Sequence, residues 1–180
     1  MKDIELLAPA GSMEGLKAAV SFGADAVYLG GQRHNARINA KNFDEEEIRQ
    51  AIKYARLRGK KVYVTINTLL FEDELEGITE YVNELQEMGA CAVILQDLGA
   101  AKIIGEECTI PMHASTQMGI HNLDGCNAIE KLGFERAILS REIPLKEIDY
   151  ISKRSNMELE TFVHGALCSC FSGQCLFSYL

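Results

Sequence analysis

The sequence predicts an α/β protein, a (β/α)8 TIM-like barrel that is incomplete in this chain, with about seven of the strands present. Three observations predict it. First, four helix-like segments close on glycine and lead within a few residues into a short β-rich run, in "SFGADAVYLG", "LRGKKVYVTIN", "EMGACAVILQD" and "KLGFERAILSRE". Glycine just past a helix takes the left-handed conformation at little cost, and the apolar run after it reads as a strand buried on both faces, so each phrase is one step of a parallel sheet. Second, "IELLAP", "IPMHAST" and "LETFVHG" add further runs of the same kind, which brings the candidate strands to seven. Third, no Rossmann glycine fingerprint interrupts the alternation, and this favours a barrel over a doubly wound sheet.

The elements follow in order. "IELLAP" is the opening strand, and the next ends on "LGG" at Gly30 and Gly31, too weak a signal for a phosphate loop. Asp44 followed by Glu47 is a capping-box start, and Ile48, Ile52 and Ala55 recur at helical spacing as far as Gly59. That amphipathic helix leads into "VYVTI". Leu75, Ile78, Val82 and Leu85 then form one apolar stripe ending at Gly89, with Glu and Asn opposite, which reads as a packing helix with a solvated acidic face. "AVIL", "MHAST", "AILS" and "LETFV" supply the remaining strands. No linker or low-complexity segment divides the chain. Because seven strands cannot close an eight-strand barrel, and a typical example needs about 250 residues, residues 1–180 read as the N-terminal part of a longer barrel domain whose C-terminal remainder is absent.

Composition narrows the function classes. The chain has 180 residues, of which 47% are hydrophobic and 24% charged, enough for one sizeable core. No apolar run approaches the roughly twenty residues of a membrane helix, and Asp3 and Glu5 interrupt any signal-peptide core, so a cytoplasmic protein without a membrane partner is expected. A net charge of −8 repels nucleic acid unless a basic patch lies elsewhere. Six cysteines in a reducing compartment point to metal ligands, reactive thiols or buried residues rather than to disulfides.

Active sites of such barrels sit at the C-terminal ends of the strands. Polar residues collect at those positions: Asn67, Gln96, Asp97, His113, Ser115, Gln117, Arg141, Glu142 and His164. Singly, Asp97 or Asn67 reads as a helix cap, and Arg141 with Glu142 as a surface pair. Together they predict a cleft for a polar or anionic small molecule, with Arg141 and Arg37 as anion clamps.

"ELLAPAGS", "GADAVYLGG", "NAR", "KNF", "QDLG", "HASTQM", "SRE" and above all "ETFVHGALCSCFSGQC" resemble the peptidase U32 family, the collagenase-like proteases, from Glu5 to the end of the chain. The pattern of Glu160, Phe162, Gly165, Ala166, Cys168, Gly173 and Cys175 carries the resemblance furthest; Phe177 and His34 depart from the family's usual residues. The resemblance implies either a peptidase of unknown catalytic type or a hydroxylation factor acting on tRNA uridine, an rRNA cytidine or the ubiquinone ring. Several of the latter kind depend on prephenate and an iron–sulfur cluster, which for this chain implies a 4Fe-4S cluster. Cys168 and Cys175 match two of the four cluster ligands, and the other two are expected beyond residue 180.

The residues favour the second class. A peptidase needs an activated nucleophile or a metal-bound water, and the sequence has no HExxH; His113 and Ser115 share a strand face with no orienting acid in view. Cys168 with His164 would make a thiol–imidazole pair, but metal ligation suits the thiols better. Thiolates are soft ligands for iron–sulfur clusters, although the Cys168-x6-Cys175 spacing matches neither a zinc ribbon nor a bacterial ferredoxin. Cys170 is a spare, and Cys91, Cys108 and Cys126 read as core residues. The expected roles are Cys168 and Cys175 on the metal; His113, Gln117, Asp97, Glu160 and His164 in hydrogen bonding or proton transfer; and Arg37, Asn67, Ser115, Arg141 and Glu142 on the substrate. RNA is the expected macromolecular partner, bound through the missing C-terminal region, and a non-catalytic scaffold is the third reading.

Overall fold

The computed structural model describes residues 4–36, 42–165 and 170–174. Seven parallel strands follow one another in sequence order: β1 (Leu7–Pro9), β2 (Ala26–Gly30), β3 (Lys61–Ile66), β4 (Ala92–Leu95), β5 (Met112–Ala114), β6 (Phe134–Ile138) and β7 (Glu158–Glu160). The helices between them are α1 (Met13–Ser21), α2 (Glu45–Arg56), α3 (Glu72–Leu75), α4 (Ile78–Met88), α5 (Leu98–Glu107), α6 (Leu123–Glu130) and α7 (Leu145–Ser152). All seven expected strands are present, and the sheet curls into a half-barrel with the helices outside it. The curl is visible in single contacts: Glu5, just ahead of β1, reaches Tyr63 on β3 at 2.8 Å and Arg136 on β6 at 2.8 Å.

The repeated phrase works as expected. Gly23, Gly59, Gly89 and Gly133 all have positive φ at the turn from helix to strand. The α2 capping box is complete, with Asp44 accepting from the Glu47 amide at 2.8 Å and Glu47 accepting from the Asp44 amide at 3.0 Å. The apolar stripe differs. Gly77, with positive φ, divides it into α3 and α4, so Leu75 belongs to a separate turn while Ile78, Tyr81, Val82 and Leu85 are buried on α4.

Strand alternation divides the core in two. Val27, Leu29, Val62, Val64, Val93 and Leu95 face the helices and join Leu16, Ile48, Ile52, Val82, Leu85 and Ile104 in the main core. Leu7, Ala26, Tyr28, Tyr63, Ala92, Ile94 and Ile138 line the concave face as a smaller cluster. The rule breaks once. Met112 pairs with Phe134 but His113 pairs with Arg136, so Glu135 is an extra residue on β6. This bulge lets Phe134 pack into the main core while Arg136 turns into the lumen.

β7 is also shorter than expected, so His164 lies four residues beyond the strand's last residue, Glu160, and is exposed. Of the cysteines expected in the core, Cys126 is buried, Cys108 is partly buried and Cys91 is exposed. Cys91 precedes the first buried position of β4 and so falls outside the strand's apolar run. "LGG" has a packing role: a side chain on Gly30 would collide with buried Asn35, and one on Gly31 would meet the Tyr81 hydroxyl at 2.7 Å. Among the described residues, no helix is long and apolar enough to cross a membrane.

Candidate functional site

Two polar groups occupy the concave face and its C-terminal rim. The first fills the lumen around Arg136, which sequence reading missed. Its guanidinium bonds Glu158 at 2.8 Å and Glu5 at 2.8 Å, reaches Glu160 at 3.4 Å, and lies 5.3 Å from the Tyr63 ring. Lys61 pairs with Glu5 at 2.6 Å. The surroundings separate the two inner carboxylates. Burial acts to raise Glu5, but hydrogen bonds from Lys61, Tyr63 and Arg136 overcome it and hold the group at about 2. Glu160 has one long contact, so burial dominates over the Arg136 charge and its pKa is raised.

His113 stands on β5 with its ring edge-on to Tyr63, centroids 4.8 Å apart. Burial first, and the Arg136 charge second, push it down to about 4, so it is neutral at pH 7. Its Nδ1 is buried without a partner, and so are Thr116 Oγ1 and Gln117 Oε1. Among the described residues the buried, unpartnered side-chain polar atoms thus all fall between His113 and Gln117. Such atoms cost free energy unless something completes them.

The second group forms the rim above β5 and β6. Ser115 is buried and caps the short 3-10 helix Thr116–Met118, accepting from the Gln117 amide at 3.3 Å. Glu142 accepts from the Ser172 amide at 3.0 Å, from the Ser172 hydroxyl at 2.9 Å and faces His121 Nε2 at 2.9 Å. Arg141 lies over the Phe162 ring at 4.6 Å. His121 and Ser172 were not expected from the sequence, because neither sits on a strand end. Their only signal is proximity to the "HASTQM" and cysteine motifs.

Of the remaining expected residues, Asn67 and Asp97 follow β3 and β4, and others lie outside the described residues. Asp97 caps α5 through the Ala100 amide at 2.8 Å and ties down the loop after β3 through the Leu70 amide at 3.3 Å. Asn67 accepts from the Ala36 amide at 3.2 Å. Asp97 thus makes cap and loop-tie contacts within the chain, and Asn67 a loop tie. Arg37, Cys168 and Cys175 lie outside the described residues. Among the described residues no His, Cys, Asp and Glu group of three or more could hold a metal ion. Two surface clefts, of about 280 and 380 Å³, lie on the helical layer around Arg56 and Cys91 and around Arg33 and Tyr81. Neither includes a residue of the two polar groups, so it is the unpartnered atoms that mark the site.

The model of peptidase family U32 matches residues 11–180. The chain belongs to this family. Among U32 relatives, tRNA hydroxylation protein P1 of Bacillus subtilis (strain 168) is 37% identical over 182 residues, covering 98% of this chain and 42% of its own length. The 23S rRNA 5-hydroxycytidine C2501 synthase of Escherichia coli (strain K12) is 38% identical over 176 residues, covering 98% of this chain and 26% of its own length. The chain therefore spans less than half of either relative. A solved structure of a U32 peptidase superposes with a TM-score of 0.75 at 15% identity, over 88% of this chain and 68% of that one, a likeness of fold.

Proposed function

We propose that residues 1–180 are the N-terminal part of a barrel domain in an iron–sulfur-dependent hydroxylation factor acting on RNA, a tRNA uridine or an rRNA cytidine, with a small carboxylate such as prephenate as cosubstrate. The observation that carries this reading is the row of buried, unpartnered polar atoms from His113 to Gln117 at the end of β5. It supports a polar ligand at the end of β5, close to Gln117, on whose backbone Gly173 rests. The names of the Bacillus and Escherichia relatives support RNA hydroxylation.

Within that reading, neutral His113 and Gln117 hydrogen-bond the ligand, and Glu160, its pKa raised, is the proton carrier. Arg141 and Arg37 receive carboxylate, with Ser115 and Asn67 in support. His164, exposed past β7, is open to a substrate from outside. Cys168 and Cys175 supply two soft thiolates and fit half of a four-thiolate site, and a cluster so held supplies one-electron transfer. The protein is expected to work in the cytoplasm.

Among the described residues, one constellation speaks for the peptidase reading. Ser140 Oγ is 3.2 Å from His121 Nδ1, and His121 Nε2 is 2.9 Å from Glu142. The same Nδ1 lies 2.7 Å from the Gly119 carbonyl. A nitrogen that donates to a carbonyl has no lone pair with which to take a serine proton, and Ser140 is buried. The arrangement therefore gives no activated nucleophile.

Mass spectrometry of tRNA and rRNA nucleosides from a strain lacking the full-length gene tests the proposal. A hydroxylated pyrimidine should disappear, return with the intact gene, and stay absent with His113→Ala or Cys168→Ala. An unchanged nucleoside profile in the deletion strain, or peptide hydrolysis abolished by Ser140→Ala, would overturn it.

A further inference from the structure

The thiol-bearing segment is fastened to the barrel by a latch that the chemistry above does not use. Phe171–Gln174 forms a turn closed by the Gln174 amide on the Phe171 carbonyl at 3.1 Å, with Gly173 at φ +81° in its third position. Gly173 rests so closely on the backbone of Gln117 that a Cβ there would collide with the carbonyl. The Ser172 hydroxyl donates to Glu142 Oε2 at 2.9 Å and accepts from the Arg141 amide at 3.3 Å. The Ser172 amide and His121 Nε2 meet the other carboxylate oxygen at 3.0 and 2.9 Å. The Phe171 ring centroid stands 6.4 Å from that of His121.

We propose that Glu142, oriented by His121, is a positioning residue that latches the Phe171–Gln174 turn onto the β5–β6 rim and so fixes the segment that carries Cys170 beside Gln117. Both carboxylate oxygens are already used within the chain, which leaves Glu142 little capacity to bind a substrate as well. Burial acts to raise the Glu142 pKa, but the Ser172 and His121 contacts hold it at about 2, so the latch is ionised at neutral pH. Only the purpose of positioning this segment rests on the reading under Proposed function. The fastening itself does not.

The chain contains no tryptophan, so Phe171→Trp places a single fluorophore on the turn. In the 180-residue chain carrying that substitution, anisotropy should be high. It should fall about twofold when Glu142→Ala or Ser172→Ala is added, as a released side chain moves on the nanosecond scale. Far-UV circular dichroism should stay unchanged, and Ser172→Thr, which keeps the hydroxyl, should keep the high value. Anisotropy unmoved by both alanine variants, or an equal fall in Ser172→Thr, would overturn the latch. Failure of the longer protein to take up iron and sulfide would instead sink the cluster and leave the latch standing.

Discussion

Arg136 shows how much one side chain organises. Its side chain is only 10% exposed and neutralises carboxylates from the lead-in to β1 and from β7. Removing one partner of a buried ion pair strands the others, so Arg136→Ala should cost about 3–5 kcal/mol in urea unfolding at pH 7. The pH dependence has a definite sign. Glu5 is depressed from 4.5 to about 2 in the folded chain, so its contribution is present above about 4.5 and is lost as pH falls toward 2. Arg136→Ala lacks the Arg136 share of that contribution and keeps those of Lys61 and Tyr63. The stability gap between the two proteins should therefore narrow as pH falls from 4.5 toward 2, and a constant gap would show that the pairing with Glu5 is not what stabilises the lumen. Glu135 explains why Arg136 was not legible in the sequence. Strict alternation puts Phe134 and Arg136 on one face, and only the bulge separates them.

At the scale of elements, most of the fold was legible because it rests on local chemistry. Glycine-terminated helices, the Asp44–Glu47 box and strands apolar on alternate positions are each specified within a few neighbouring residues. The site was legible only in part. Strand-end position located Asn67, Asp97, Ser115 and Glu142, but whether a polar side chain faces a ligand or a neighbouring amide depends on contacts far apart in the chain, such as Leu70 to Asp97 or Ser172 to Glu142. Asp97 gives a clean test. As a cap and loop tie, Asp97→Ala should lose about 1–2 kcal/mol in thermal unfolding, whereas Asp97→Asn, which keeps a capping oxygen, should lose much less. Equal stability of all three proteins, coupled with loss of activity in the longer enzyme, would return Asp97 to the catalytic group.

At the scale of the whole molecule, the charge pattern constrains how RNA could reach the site under the proposed function. The chain bears a net −8, and the helices that follow β2 and β3 begin with Asp44, Glu45, Glu46 and Glu47 and with Glu72, Asp73 and Glu74, on the same end of the sheet as the strand termini. Each acid favours its own helix start through the macrodipole, so local stability and phosphate binding pull in opposite directions on this face. RNA affinity comes chiefly from cations displacing counterions along phosphates, with log K falling by about 0.9 per neutralised phosphate per unit of log salt on duplexes. The 180-residue chain should accordingly show no tRNA retention in filter binding at about 0.15 M salt. The exposed acids Glu46, Glu72 and Asp73, which complete neither capping arrangement, can be replaced by Gln, Gln and Asn without touching Glu47 or Glu74. In the longer protein of the proposed function this triple change should tighten tRNA binding and leave the salt slope unchanged, because it removes repulsion without adding a phosphate contact. Tight, steeply salt-dependent binding by the 180-residue chain itself would place the RNA-binding surface on these residues and refute the expectation that RNA is bound outside them.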